Sequence, residues 1–157
     1  MTVPPADIAR LIDAARAART HAHAPYSRFA VGAALLLTDG TIVSGSNFEN
    51  ASYGLSLCAE TVALAAANAQ GRLAHIVAIA VAGGPMDGVD EPAERAIITP
   101  CGRCRQVMAE AERIAGRPLA IFCAAPQGDA MAAYDLGTLL PHSFGPADLD
   151  TLPPTRS

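Results

Sequence analysis

"CAETVALAAANAQGRLAHIVAIAVA", residues 58–82, is the stretch that decides the fold. Its first part is rich in Ala and free of Gly and Pro, which favours a helix from Cys58 to about Gln70. Gly71 closes that helix. "HIVAIAVA" then reads as an apolar strand covered on both faces, with a turn at the glycines that follow. A helix feeding directly into a doubly covered strand requires layers of helix on both sides of a sheet.

The flanks extend this pattern. Residues 6–20 place Ile8, Leu11, Ile12, Ala15 and Ala18 on one helical face. "HAHAPY" ends that helix at Pro25. "FAVGAALLL" (29–37) and "TIVSGSN" (41–47) flank Thr38-Asp39-Gly40 as a hairpin. Residues 83–97, rich in Gly, Pro and acids, read as loop, and Asp87, Asp90, Glu91 and Glu94 as a solvated run within it. Cys101–Ala115 reads as a helix stopped by Gly116, "PLAIFCAA" as a strand, "AMAAYDL" as a weaker strand and "LGTLLP" as a helical turn. The chain from about 146 onward reads as a frayed tail. The expected order is α-β-β-α-β-α-β-β. With no repeat, linker or low-complexity segment, it predicts one domain over 1–157: an α/β three-layer α-β-α sandwich around one mixed five-stranded sheet.

Composition narrows the function. A net charge of −4 argues against nucleic acid, whose partners usually carry a basic patch. No apolar run is long enough to cross a bilayer, so no membrane partner is expected. Asp7 and Asp13 disfavour reading the Ala/Arg-rich start as a transit peptide, and the chain reads as cytoplasmic. The four cysteines are then thiols or metal ligands rather than disulfides, and the sequon at Asn50 is chance.

Two stretches carry the chemistry. Cys58 precedes Glu60 at the start of one helix, and Cys101 and Cys104 form a Cys-x-x-Cys pair after Pro100 at the start of another. Such a pair alone serves redox or metal chemistry. Cys123 lies in an apolar strand and reads as a small buried hydrophobe. That leaves three thiolates for one zinc, with the open fourth position of a catalytic site and a carboxylate beside it to move protons. Helix N-termini suit thiolates, since their dipoles offset negative charge and lower thiol pKa. His21 and His23, at a helix end, read as structural or surface residues.

Cys58-Ala-Glu and Pro100-Cys-Gly-Arg-Cys resemble the zinc signature of the cytidine deaminase superfamily. "APYSRFAVGAALL", "NFENASY" and "LLPHSFGPADL" extend the resemblance over nearly the whole chain, to the short one-domain nucleoside deaminases. The resemblance implies one Zn²⁺ per subunit on Cys58, Cys101 and Cys104, and hydrolytic deamination of cytidine and deoxycytidine at C4, within pyrimidine salvage. It implies that Glu60 shuttles the protons. It further implies that Asn47 and Glu49 hold the ribose, that Phe29 packs on the base, and that backbone at Ala59 and around Thr99 meets the base edge and leaving amine. Tyr53 and Phe144 match positions that reach a neighbour's site in a homotetramer. Two rival readings share the zinc motif: a deaminase of another aminopyrimidine nucleoside, such as an antibiotic, and a non-catalytic zinc-stabilised interaction domain. The chain departs from its resemblance at Thr61, where many relatives carry an arginine that offsets thiolate charge. A hydroxyl donates to sulfur but brings no charge, and Arg103 and Arg105 are the nearby candidates to supply it.

Overall fold

The computed structural model describes residues 3–87 and 97–149. Its elements are α1 (Pro5–Arg19), β1 (Phe29–Leu37), β2 (Ile42–Ser46), α2 (Ala59–Ala69), β3 (Ile76–Pro85), α3 (Gly102–Ala115), β4 (Ala120–Ala124), β5 (Met131–Tyr134), α4 (Leu136–Leu139) and α5 (Pro146–Leu149). Single 3₁₀ turns occupy Tyr53–Leu55 and Leu73–His75. The strands form one five-stranded sheet in the order β2-β1-β3-β4-β5. Only β3 and β4 run parallel, with α3 as the crossover between them; the other three pairings are antiparallel. The expected mixed sheet and element order are therefore present.

The sheet separates two apolar layers. On one face Leu11, Ile12 and Ala15 of α1 pack against Ala34, Leu36, Ala80 and Phe122. On the other, Ala63, Leu64 and Ala67 of α2 and Met108 and Ala111 of α3 pack against Leu35, Ile79, Val81 and Ile121. Alternating side chains on each strand feed the two layers in turn. β3, central and buried along almost its whole length, is covered on both faces as its sequence requires. Short alanine side chains let the helices settle close to the sheet.

Gly45 shows how close. A Cβ at this position would lie 2.5 Å from the backbone N of Ala63 and 2.9 Å from the carbonyl O of Ala59. The first turns of α2 thus rest directly on β2, which fixes the height of Cys58 and Glu60 above the sheet. Gly116 ends α3 in the left-handed region at φ 65°, and its N–H closes the last turn onto the carbonyls of Glu112 and Arg113.

Two boundaries differ from the sequence reading. β3 continues through Gly83 and Gly84 to Pro85, because these residues pair with Val31, Ala30 and Phe29 of β1. Glycine and proline signalled a loop there, but the pairing strand overrides them. The tail read from about residue 146 begins with a short helix, Pro146–Leu149, whose Asp148 side chain accepts from the Gly145 N–H at 2.7 Å. Asp90, Glu91 and Glu94 of the acidic run lie outside the described residues, as does the chain after Leu149.

Candidate metal centre and active site

Cys58 and Cys101 are the N-cap residues of α2 and α3, with extended backbones (φ −74°, ψ 152° and φ −66°, ψ 165°). Neither thiol caps its own helix. Both sulfurs are therefore free to face each other across the two helix starts. Cys104 sits three residues after Cys101, on the same side of the first turn of α3. The Sγ atoms of Cys58 and Cys101 are 3.9 Å apart, and all three sulfurs lie within 4.8 Å of one another. Among the described residues this is the one cluster of three or more potential ligands.

The donor set fits zinc. A Zn–S bond of about 2.3 Å in a tetrahedron puts neighbouring sulfurs about 3.8 Å apart. The observed 3.9 Å between Cys58 and Cys101 matches that spacing. Cys104 is buried, Cys58 half-buried and Cys101 exposed, so the cluster is closed behind and open in front. The hydrogen bond from Cys104 pulls the Cys58 thiol down to about 6, helped by Cys101 and the Arg103 guanidinium. Its bond to Cys58, followed by burial, pushes Cys104 up. The protein thus already stabilises one thiolate at the cluster, the form a zinc ligand needs.

The open side faces a cavity of about 340 Å³. Cys58, Cys101, Ala59 and Glu60 line it together with Phe29, Asn47 and Glu49, and Ile98 and Thr99 form a further part of the wall. Glu60, the second residue of α2, is only 4 % exposed, and burial pushes its carboxyl up from the ordinary range. A larger cleft of about 580 Å³ lies at the opposite end of the sheet, between the start of α1 and β4–β5. It holds no thiol or imidazole, so chemistry rather than size identifies the site.

Each polar residue of the cavity has its own support. The Glu49 Oε2 accepts from the backbone N–H groups of Tyr26 (3.0 Å) and Ser27 (3.2 Å). Hydrogen bonding from the Ser27 side chain is the largest cause of its lowered pKa, which keeps it a carboxylate. Asn47 is built into the sheet edge: its Oδ1 accepts from Val31 N–H at 2.8 Å and its Nδ2 donates to Phe29 O at 3.0 Å. One donor and one acceptor valence of that amide remain available. Tyr53 and Phe144 do not line the cavity of their own chain; they are 74 % and 56 % exposed.

Thr61 Oγ1 lies 3.8 Å from Cys104 Sγ. Of the two arginines near the cluster, Arg103 acts on Cys58, while Arg105 bonds Pro100 O, Leu139 O and Thr99 Oγ1. Ile98 and Ser56 also line the cavity and carried no signal in the sequence. Cys123 is fully buried in β4, and burial pushes its thiol up to about 12, as a core residue requires. His23 packs on Phe48 with ring centroids 5.7 Å apart and takes no part in the cluster.

Comparison with known proteins agrees with this geometry. Residues 5–116 match the family model described as the cytidine and deoxycytidylate deaminase zinc-binding region. The chain is 43 % identical to a cytidine deaminase of Halalkalibacterium halodurans over 140 residues, covering 89 % of this chain and 96 % of that protein. It is 40 % identical to a cytidine deaminase of Mycobacterium tuberculosis over 157 residues, covering 98 % and 99 %. The crystal structure of cytidine deaminase from Burkholderia pseudomallei superposes with a TM-score of 0.71 at 47 % identity, covering 87 % of this chain and 98 % of that one. Fold, thiol cluster and sequence together place the chain in the zinc-binding cytidine and deoxycytidylate deaminase family.

Proposed function

We propose that the protein hydrolyses cytidine and deoxycytidine to uridine and deoxyuridine, releasing ammonia. One observation carries this reading. Three sulfurs lie within 4.8 Å of one another, and two of their cysteines, Cys58 and Cys101, line a cavity whose wall includes the buried carboxyl of Glu60.

Cys58, Cys101 and Cys104 would hold one zinc. Zinc in such a site lowers the pKa of water from 15.7 to about 7 and so supplies a nucleophile at neutral pH. Glu60 accepts the proton of the attacking water and returns it to ring N3. With the water oxygen now bonded to C4, Glu60 takes the proton of that hydroxyl and delivers it to the amine, so that the C4–N bond breaks, ammonia leaves and the C4 carbonyl forms. Burial suits the first of these steps, because a carboxylate whose pKa is raised is a stronger base and takes a proton from water more readily than an exposed one. Phe29 packs its ring on the pyrimidine. Glu49 uses its free oxygen, and Asn47 its remaining donor and acceptor, for the ribose hydroxyls. A carboxylate held ionised at the sugar end also repels a 3′-phosphate, which favours a nucleoside over a polynucleotide.

We place the enzyme in the cytoplasm, in pyrimidine salvage, as a single domain over 1–157. A homotetramer is supported by Tyr53 and Phe144, whose exposed rings lie outside their own cavity and are available to a neighbour. No described helix is long and apolar enough to cross a membrane.

The test is ammonia release from cytidine, deoxycytidine, cytidine monophosphate and single-stranded DNA by the zinc-loaded protein. Turnover of the two nucleosides with neither phosphate-bearing substrate consumed is expected. A folded, zinc-loaded protein inert toward both nucleosides would overturn the reading in favour of another aminopyrimidine or a zinc-stabilised scaffold. Sedimentation at micromolar concentration tests the tetramer separately.

A further inference from the structure

Residues 97–101 form the irregular stretch that leads into α3, and Ile98, Thr99 and Cys101 are part of the cavity wall. Among the described residues, Ile97, Ile98, Thr99 and Pro100 make no backbone–backbone hydrogen bond. Pro100 has no N–H to offer. A wall of this kind keeps its position through side chains, and apolar contacts alone leave its carbonyls and hydroxyl undirected.

Arg105 supplies the direction. From the first turn of α3 its Nε donates to Pro100 O at 2.7 Å and its Nη2 to Thr99 Oγ1 at 3.1 Å. Its Nη1 donates to Leu139 O at 2.8 Å, where α4 ends. Among the described residues, the bonds to Pro100 O and Thr99 Oγ1 are the only two hydrogen bonds that residues 97–100 make. The rigid planar fork of a guanidinium reaches three acceptors at once; a lysine ammonium is a point charge on a flexible stem.

We infer that Arg105 is a positioning residue for the deamination proposed above, and the inference rests on that reading of the site. It holds the Thr99–Pro100 wall at the place where the pyrimidine edge would lie. Through Pro100 it also sets the backbone entering Cys101, and so the position of one of the three sulfurs. The clamp acts at a distance from the reacting atoms: Arg105 is absent from the cavity lining, and each of its bonds ends on the wall or on α4.

The experiment compares the zinc-loaded parent with Arg105→Lys, Thr99→Val and the double variant. It measures kcat and KM for cytidine, the rate of zinc release to a chelator, and Tm. A misplacement of about 1 Å costs on the order of 10²-fold in rate. Arg105→Lys is expected to lose about that in kcat/KM per bound zinc and to release zinc about tenfold faster. Thr99→Val removes one of the three contacts and should show a smaller loss. The double variant should be no worse than Arg105→Lys, because the same contact is removed twice. A purely structural arginine would lower Tm and leave kcat, KM and zinc release per folded protein unchanged; that result overturns the inference. If the parent releases no ammonia from cytidine, the substrate reading fails on its own. The zinc-release comparison then decides: faster release from Arg105→Lys supports the clamp, and equal release overturns it.

Discussion

Thr61 Oγ1 and Cys104 Sγ meet at 3.8 Å across the starts of two helices, and each is the third residue of its helix. The N-caps of the same helices are Cys58 and Cys101. The cluster is therefore built from two equivalent pairs, N-cap and third residue, with sulfur at three positions and a hydroxyl at the fourth. Cys104 is the most buried of the three thiols, so a donor beside it matters most there. Loss of a supporting partner of this kind typically costs about 10–100-fold in metal affinity. Thr61→Val is expected to fall in that range in a chelator competition, while Thr61→Ser stays close to the parent. Thr61→Arg brings the charge that the hydroxyl lacks, and it should keep both zinc and activity. Complete loss of zinc from Thr61→Arg would sink the idea that this position offsets thiolate charge.

Glu60 has no described neighbour that duplicates it: it is the one buried charged side chain among the described residues. Glu60→Gln keeps shape and burial but removes the proton shuttle. General acid–base catalysis contributes about 10²–10⁴-fold, and kcat for cytidine should fall by at least that much. Zinc content measured alongside should equal the parent's. If zinc disappears together with activity, Glu60 supports the metal rather than the protons.

The element order and the three thiols were legible in the sequence, and for related reasons. Helix and strand periods are local, and Cys58 to Glu60 and Cys101 to Cys104 are spacings within single helical turns. What could not be read joins distant positions. Thr61 and Cys104 are 43 residues apart, and Arg105 reaches Leu139 34 residues on. Asn47, at the end of the strand read over 41–47, and Glu49 just beyond it were assigned to the ribose by the resemblance alone. Their sharing between the protein's own backbone and the cavity depends on β1 and on the Tyr26–Ser27 turn folding against them. Gly83, Gly84 and Pro85 misled because strand pairing outweighs local propensity where a partner strand is present.

Cys123 and Cys104 are both fully buried thiols, yet they should respond oppositely to the same substitution. Cys104→Ala removes a ligand and should abolish stoichiometric zinc binding. Cys123→Ala removes one atom from the packing between β4 and the α2–α3 layer, at a cost of about 1 kcal/mol, and should retain one zinc per chain. Zinc analysis of the two purified variants separates them directly. Loss of zinc from Cys123→Ala would reassign the ligand set.

Gly45→Ala tests whether the sheet sets the height of the site. The added methyl would meet Ala63 N at 2.5 Å and Ala59 O at 2.9 Å, both backbone atoms that no rotamer change can move. Overpacking of this kind costs about 1–3 kcal/mol. α2 must shift outward, carrying Cys58 and Glu60. Both a lower Tm and a loss of kcat in the surviving folded protein are expected. A lower Tm with an unchanged kcat would show that α2 tolerates the displacement without disturbing the chemistry.

Glu49 should affect binding of the nucleoside rather than its conversion, because the reading proposed above gives it the ribose hydroxyls and not the reacting C4. Glu49→Gln keeps an acceptor for one sugar hydroxyl but loses the carboxylate's hold on the Tyr26 and Ser27 N–H groups. KM for cytidine should rise about tenfold or more while kcat changes little, since the interaction is the same in ground and transition states. The pH dependence follows from the direction of its shift. The Ser27 side chain, more than any other group, holds the carboxyl below its ordinary value. A carboxyl depressed in the fold contributes stability above its unfolded pKa and loses that contribution as pH falls through the folded one. The Glu49 contribution is therefore constant through neutral and mildly acidic pH and disappears only below the ordinary carboxylate range. A KM for cytidine that climbs between pH 7 and pH 5 in the parent but stays flat in Glu49→Gln would contradict this assignment. A parent KM flat over that interval, with the variant uniformly higher, would support it.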